Sequence, residues 1–146
     1  MTAAVTLAAL GNGPAFSAYM SANQTPSSNT WTTMIFDTEE FDTNSCFNTS
    51  TYTFTPTVAG YYQFNVSWVN VGSAASYLYV SIAKNGSRVK SAVAADATGG
   101  GSVNRSALIY MNGSTDYVLA QMYTNVGAAA SSAIYSNFQG FLARSA

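Results

Sequence analysis

Histidine is absent from this chain, cysteine occurs once, proline three times, and only 8% of the 146 residues are charged. The lack of histidine removes the usual general base, the commonest zinc ligand and the ordinary relay behind a nucleophilic serine or cysteine. The abundant Ser and Thr then read as surface rather than as nucleophiles. Cys46 has no partner for an intrachain disulfide, so the fold must stand without such a staple. Its neighbours Phe47 and Asn48 suit a packed thiol better than a nucleophile or an intermolecular bridge. Charged residues make up about 25% of ordinary soluble domains. The surface here must therefore be Ser, Thr, Asn, Gly and Tyr, and a surface so poor in charge suits contact with further copies of the chain, where charges would be costly to desolvate. A formal net charge of -1 argues against a phosphate-tracking or acidic-membrane partner. Arg88, Lys90 and Arg105 do not make the basic face that nucleic acid needs. No segment approaches about 18 uninterrupted apolar residues, so no membrane-spanning helix is expected.

Aromatic and aliphatic residues are plentiful instead: the hydrophobic share is 48% and the aromatic share 14%. A chain of this length buries roughly two thirds of its unfolded surface, enough for one self-sufficient core. Two alternating runs, Tyr52 to Thr55 and Tyr61 to Trp68, flank Pro56 and Gly60 and read as strand, turn, strand. In the second run Tyr62, Phe64, Val66 and Trp68 share one face, while Tyr61, Gln63, Asn65 and Ser67 share the other. One side is built for a core and the other is polar without charge. Gly60 marks a tight entry into this strand, where a side chain would clash or positive φ is needed.

Further alternation is predicted in Ser76 to Lys84, closed by Asn85-Gly86 onto Arg88 to Val93, the dipeptide that a two-residue hairpin turn prefers. Trp31 to Phe36 is expected to open a strand pair running on through Asp37 to Asp42, and Val103 to Met111, Tyr117 to Thr124 and Ala133 to Ala143 complete the strands. Ser21 to Thr30 reads as a surface loop. Thr98 to Gly101 reads as a flexible turn, since no helix or following Lys supports a phosphate cradle. Gly11 to Pro14 separates an apolar N-terminal arm, residues 1–14, from a domain at 15–146. The arm lacks the basic leader of a signal peptide. It is expected either to fray or to dock on a neighbouring subunit or another surface through Val5, Leu7 and Leu10. Strand and turn recurring every dozen or so residues, with no helical period after the arm, predict an all-β sandwich.

Phe36, Asp42, Phe47, Phe54, Gly60, Tyr62 and Phe64 stand at spacings that resemble the C1q/TNF-like globular-head domain, with Val66 where that pattern usually carries an aromatic. Ala15 to Tyr19 resembles the family's first strand and Ser136 to Leu142 its closing strand. The resemblance implies a jelly-roll β-sandwich of about ten antiparallel strands that assembles as a homotrimer. Tyr77, Tyr79, Tyr123 and Phe138 are the residues expected at that interface. Gly13 to Tyr19 and Asp37 to Asp42 are also similar to versions of this fold in bacteriophage virion proteins. With no collagen-like Gly-X-Y stalk and no export signal evident, the expected function is non-enzymatic: a trimeric capsid decoration or cement protein held by its N-terminal arm. The alternatives are a receptor-binding tip of a tail or head fibre and a secreted ligand-binding module. Its partners would be itself, the major capsid protein or fibre and tail proteins, or a host receptor, and its place the virion surface or the extracellular space.

The acidic cluster Asp37, Glu39, Glu40 and Asp42 admits two sharper readings, a glycosidase carboxylate pair or oxygen ligands for Ca²⁺. The preferred reading is a solvated loop with Asp42 in a structural role, so no cofactor is expected. Asn-x-Ser/Thr triplets at Asn23, Asn48, Asn65, Asn85, Asn104 and Asn112 are expected by chance in so Asn- and Ser-rich a chain and are read as unused.

Overall fold

A computed structural model describes residues 12–72, 74–97, 101–126 and 135–146, which form eleven strands and no helix. In chain order these are β1 (Ala15–Tyr19), β2 (Thr32–Thr33), β3 (Thr38–Asp42), β4 (Phe47–Asn48), β5 (Thr53–Phe54), β6 (Gly60–Val69), β7 (Ala75–Lys84), β8 (Ser87–Ala97), β9 (Ser102–Met111), β10 (Val118–Thr124) and β11 (Asn137–Ser145). One sheet runs β3-β1-β11-β6-β9; the other runs β4-β5-β10-β7-β8, with β2 also on β10. All the paired strands are antiparallel. This is the jelly-roll sandwich that the sequence predicts. Among the described residues no helix is long and apolar enough to cross a membrane.

The alternation read along β6 is realised: Tyr62, Phe64, Val66 and Trp68 are buried, and Tyr61 is exposed. Leu78, Val80 and Ile82 do the same for β7. Between the sheets, Phe16 stacks on Phe54 at 4.5 Å and on Phe47 at 4.8 Å, and meets Phe138 edge-on at 5.0 Å. These offset and edge-to-face packings add to the area that the rings remove from water.

The spaced signature is a packing device throughout. Phe36, Phe47, Phe54, Tyr62 and Phe64 all belong to the buried cluster. The Tyr62 hydroxyl donates to the Val58 carbonyl at 2.7 Å, and burial pushes its phenol pKa upward. Asp42 accepts the Phe47 backbone N–H at 2.7 Å and so fixes the chain reversal between β3 and β4. Gly60 serves close approach: a Cβ there would run into the Arg144 carbonyl and the Leu142 side chain, at the irregularity where β11 passes β6. Asn85 (φ 51°) and Gly86 (φ 80°) form the two-residue turn between β7 and β8.

The segment 31–42 departs from expectation. Only Thr32–Thr33 and Thr38–Asp42 are strands, and Met34 and Phe36 are fully buried from the irregular stretch between them. The chain crosses there from the edge of one sheet to the edge of the other, so its apolar side chains fill the sandwich opening without joining a ladder.

Candidate interaction surfaces

Each sheet has an outer face, and the two differ. On the outer face of the five-stranded sheet the register sets up rows across neighbouring strands. Phe141, Gln63 and Leu108 make one row, Gln139, Asn65 and Ser106 the next, and Asn137, Ser67 and Asn104 the third. None of these nine residues carries a charge. Tyr61 and Tyr110 pair beyond Phe141 and Leu108, with the exposed Arg144 opposite Tyr61 on β11, so one end of the face is apolar with a charge at its margin and the other is amide and hydroxyl. Phe41, Leu108 and Phe141 are about half exposed, at 50, 54 and 48%. The polar end is internally bonded, with Ser106 Oγ donating to Asn65 Oδ1 at 2.7 Å. At its flank Tyr19, Glu39, Glu40, Asn137 and Gln139 line a shallow cavity of about 360 Å³.

On the outer face of the six-stranded sheet lies an aromatic inlay. Tyr79 and Tyr123 are cross-strand partners with rings 5.5 Å apart, Trp31 packs on both at 6.0 and 5.4 Å, and Tyr77 flanks Tyr79 at 6.3 Å. The Arg88 guanidinium lies 4.6 Å from the centre of the Trp31 ring. The Tyr123 hydroxyl donates to Asn29 Oδ1 at 3.2 Å. Tyr77 is 47% exposed, while Trp31, Tyr79 and Tyr123 are half-buried among themselves.

Of the four residues expected at a subunit interface, Tyr77, Tyr79 and Tyr123 therefore share this second face. Phe138 is a correction: it is fully buried, packed on Phe16, Phe36, Phe47 and Phe64. Its strand parity puts it opposite Val66 on the inner side of β11, so it belongs to the domain's own core. Val5, Leu7 and Leu10 lie outside the described residues. Sequence reasoning missed Phe41, Leu108, Tyr110 and Phe141. The signal was in β9, where Leu108 and Tyr110 alternate with the buried Ala107, Ile109 and Met111, making both faces of that strand apolar at one end.

The acidic residues do not converge. Asp37 accepts from the Ser21 backbone N–H at 2.7 Å and from its hydroxyl at 2.5 Å; burial alone would raise its carboxyl, but these bonds outweigh it and hold the pKa below the ordinary value. Glu40 accepts from Ser17 Oγ at 2.6 Å, and Asp42 serves Phe47. Among the described residues no three His, Cys, Asp or Glu side chains are grouped to hold a metal ion. Asp116 is paired with Lys84 at 2.7 Å and also accepts from Asn85 Nδ2 and the Asn112 N–H. The Lys84 bond above all, with the Asn85 bond next, holds its carboxyl below the ordinary value. Cys46 is buried, its thiol 3.5 Å from the Asn44 carbonyl, and burial pushes the thiol pKa upward, away from reactivity.

Residues 15–143, which contain both faces, match the family model of the C1q domain. The chain belongs to the C1q domain family. Among solved structures, this C1q domain is similar to the globular domain of a zebrafish complement 1qA protein, at 21% identity over 92% of this chain and 99% of that one, with a TM-score of 0.69. It is similar in fold to the Eiger TNF of S. frugiperda, at 10% identity over 92% and 93% and a TM-score of 0.69. It also resembles murine APRIL, at 7% identity over 89% and 98% and a TM-score of 0.70. No curated protein sequence matches the chain. At such identities the solved structures speak to the fold alone.

Proposed function

We propose that this C1q domain is a non-enzymatic module that works as a homotrimer, assembled through the outer face of its five-stranded sheet. The observation that carries this reading is the face itself: five exposed large apolar side chains on one sheet, beside rows without a charged residue. An exposed apolar patch beside uncharged polar rows, with charges kept to its margins at Arg144, Lys84, Glu39 and Glu40, is the composition of a subunit contact. The threefold count comes from the family resemblance. Sedimentation of the purified protein, and of a Leu108→Lys variant, tests it; a folded monomer at all concentrations is the contrary result.

For its setting we propose a virion surface, with the module acting as a capsid decoration protein held by residues 1–14. This setting rests on the resemblance of segments 13–19 and 37–42, which pair as β1 and β3, to bacteriophage versions of the fold. A fibre tip that meets a host receptor, or a secreted ligand-binding module, would use the same trimer. Capsid binding by protein lacking residues 1–14 separates them: loss of binding supports decoration, and full occupancy without the arm sinks it.

A further inference from the structure

Lys84 ends β7 on the six-stranded sheet, yet its ammonium serves the other sheet. β9 is the last strand of the five-stranded sheet, and its Tyr110 carbonyl accepts from Lys84 Nζ at 2.7 Å. The same Nζ lies over the Tyr110 ring, 5.8 Å from its centre, where a cation is attracted by the negative face of the ring. Backbone and ring of Tyr110 are thus held by one group. That group is itself fixed from behind. Asp116 Oδ2 lies 2.7 Å from Nζ, and the carboxylate also accepts from Asn85 Nδ2 at 2.8 Å and from the Asn112 N–H at 3.0 Å. Asn112 Oδ1 in turn accepts the Asp116 N–H at 2.9 Å. The turn after β7 and the segment joining β9 to β10 therefore both converge on Lys84, and Lys84 on Tyr110. The Lys84 and Asp116 side chains are 23 and 12% exposed, so water and salt screen this pair less than one in open solvent.

We propose that the Lys84–Asp116 pair is a positioning device for self-association: it presets Tyr110, and through it the Tyr61–Tyr110 end of the five-stranded face, for contact by a second copy of the chain. This rests on the assembly reading above and adds what sets its strength. Two effects act in the same direction. A ring that is already fixed loses less side-chain freedom when a partner arrives. Asp116 also neutralises Lys84, so the cation at the margin of the apolar end brings no unpaired charge to be stripped of water when the neighbour closes over it. Neither side chain has to touch the partner for this.

The test is sedimentation equilibrium of the full-length protein at about pH 7, where both members of the pair are charged. A pair of this exposure is worth about two- to fivefold at each contact, which three equivalent contacts multiply to roughly tenfold to a hundredfold in the trimer association constant. Lys84→Met should weaken association by that factor with unchanged far-ultraviolet dichroism. Asp116→Asn, which leaves the cation unpaired at the margin, should weaken it at least as much. Lys84→Arg keeps the charge and the donors and should recover most of the loss. In a Tyr110→Ala background Lys84→Met should change association by less than about twofold, because the ring it positions is gone. A lysine that only stabilised the fold would cost the same with or without that ring. Association unchanged in Lys84→Met and Asp116→Asn, or weakened equally by Lys84→Met in both backgrounds, overturns this inference alone when Leu108→Lys still dissociates the parent trimer. A parent protein that is monomeric at every concentration overturns the assembly reading and this inference with it.

Discussion

Tyr61 and Tyr110 stand opposite each other across β6 and β9, their rings 5.5 Å apart and inclined at 61°, each still 43% exposed. Lys84 braces the pair from the side, donating to the Tyr110 carbonyl at 2.7 Å. The rings are held in place before any partner arrives, so little side-chain freedom is left to lose on contact. Leu108 and Phe141 extend the same apolar end by one row, flanking Gln63.

Leu108→Lys puts a charge into that uncharged row. Burying it unpaired costs about 3 kcal/mol or more at each contact, which weakens assembly by at least roughly a hundredfold. Size-exclusion chromatography should then show a smaller species whose far-ultraviolet dichroism is unchanged.

Phe138 and Tyr77 should separate sharply in urea unfolding at one protein concentration. Phe138→Ala removes a ring packed on four others and should cost about 3–5 kcal/mol. Tyr77→Ala, on an exposed face, should cost under about 1 kcal/mol.

At Gly60 the neighbouring strand leaves no room for a methyl group. Gly60→Ala must push β6 away from the Arg144 carbonyl, an overpacking that should cost about 1–3 kcal/mol. The ladder amides of Tyr61 and Arg144 should lose hydrogen-exchange protection first.

The Asp116 carboxyl has a folded pKa below its unfolded value, so it binds a proton less readily in the native state than in the unfolded chain. Its contribution to stability is therefore fully present above about pH 4 and is lost as pH falls through the lowered folded value. Asp116→Asn should flatten the acid limb of a pH–stability profile measured from pH 6 downward, and it should destabilise the protein at pH 6. An acid limb that matches the parent protein would contradict this role.

Much of this fold is legible in the sequence because β6 and β7 each bury one face, so the alternation of Tyr62, Phe64, Val66 and Trp68 against uncharged neighbours specifies both strand and orientation. Asn85-Gly86 announces its turn through the positive φ that both residues adopt. The stretch around Met34 and Phe36 is not legible, because side chains that seal the sandwich opening from irregular backbone carry no period. Phe138 was misplaced for a different reason. Its neighbours Asn137 and Gln139 mark the outer face of β11, but Phe141 puts an aromatic ring on that face too, so aromatic content alone does not give the parity. The interaction surfaces were harder still: whether an exposed Leu108 meets water or a partner depends on which strands the register sets beside it.

Sedimentation equilibrium of the intact protein over a wide concentration range tests the central claim most directly. The account predicts a species of three times the 15.3 kDa chain mass that dissociates on dilution and whose association is weakened by Leu108→Lys. A single-chain mass at every concentration, or a trimer indifferent to that substitution, would contradict it.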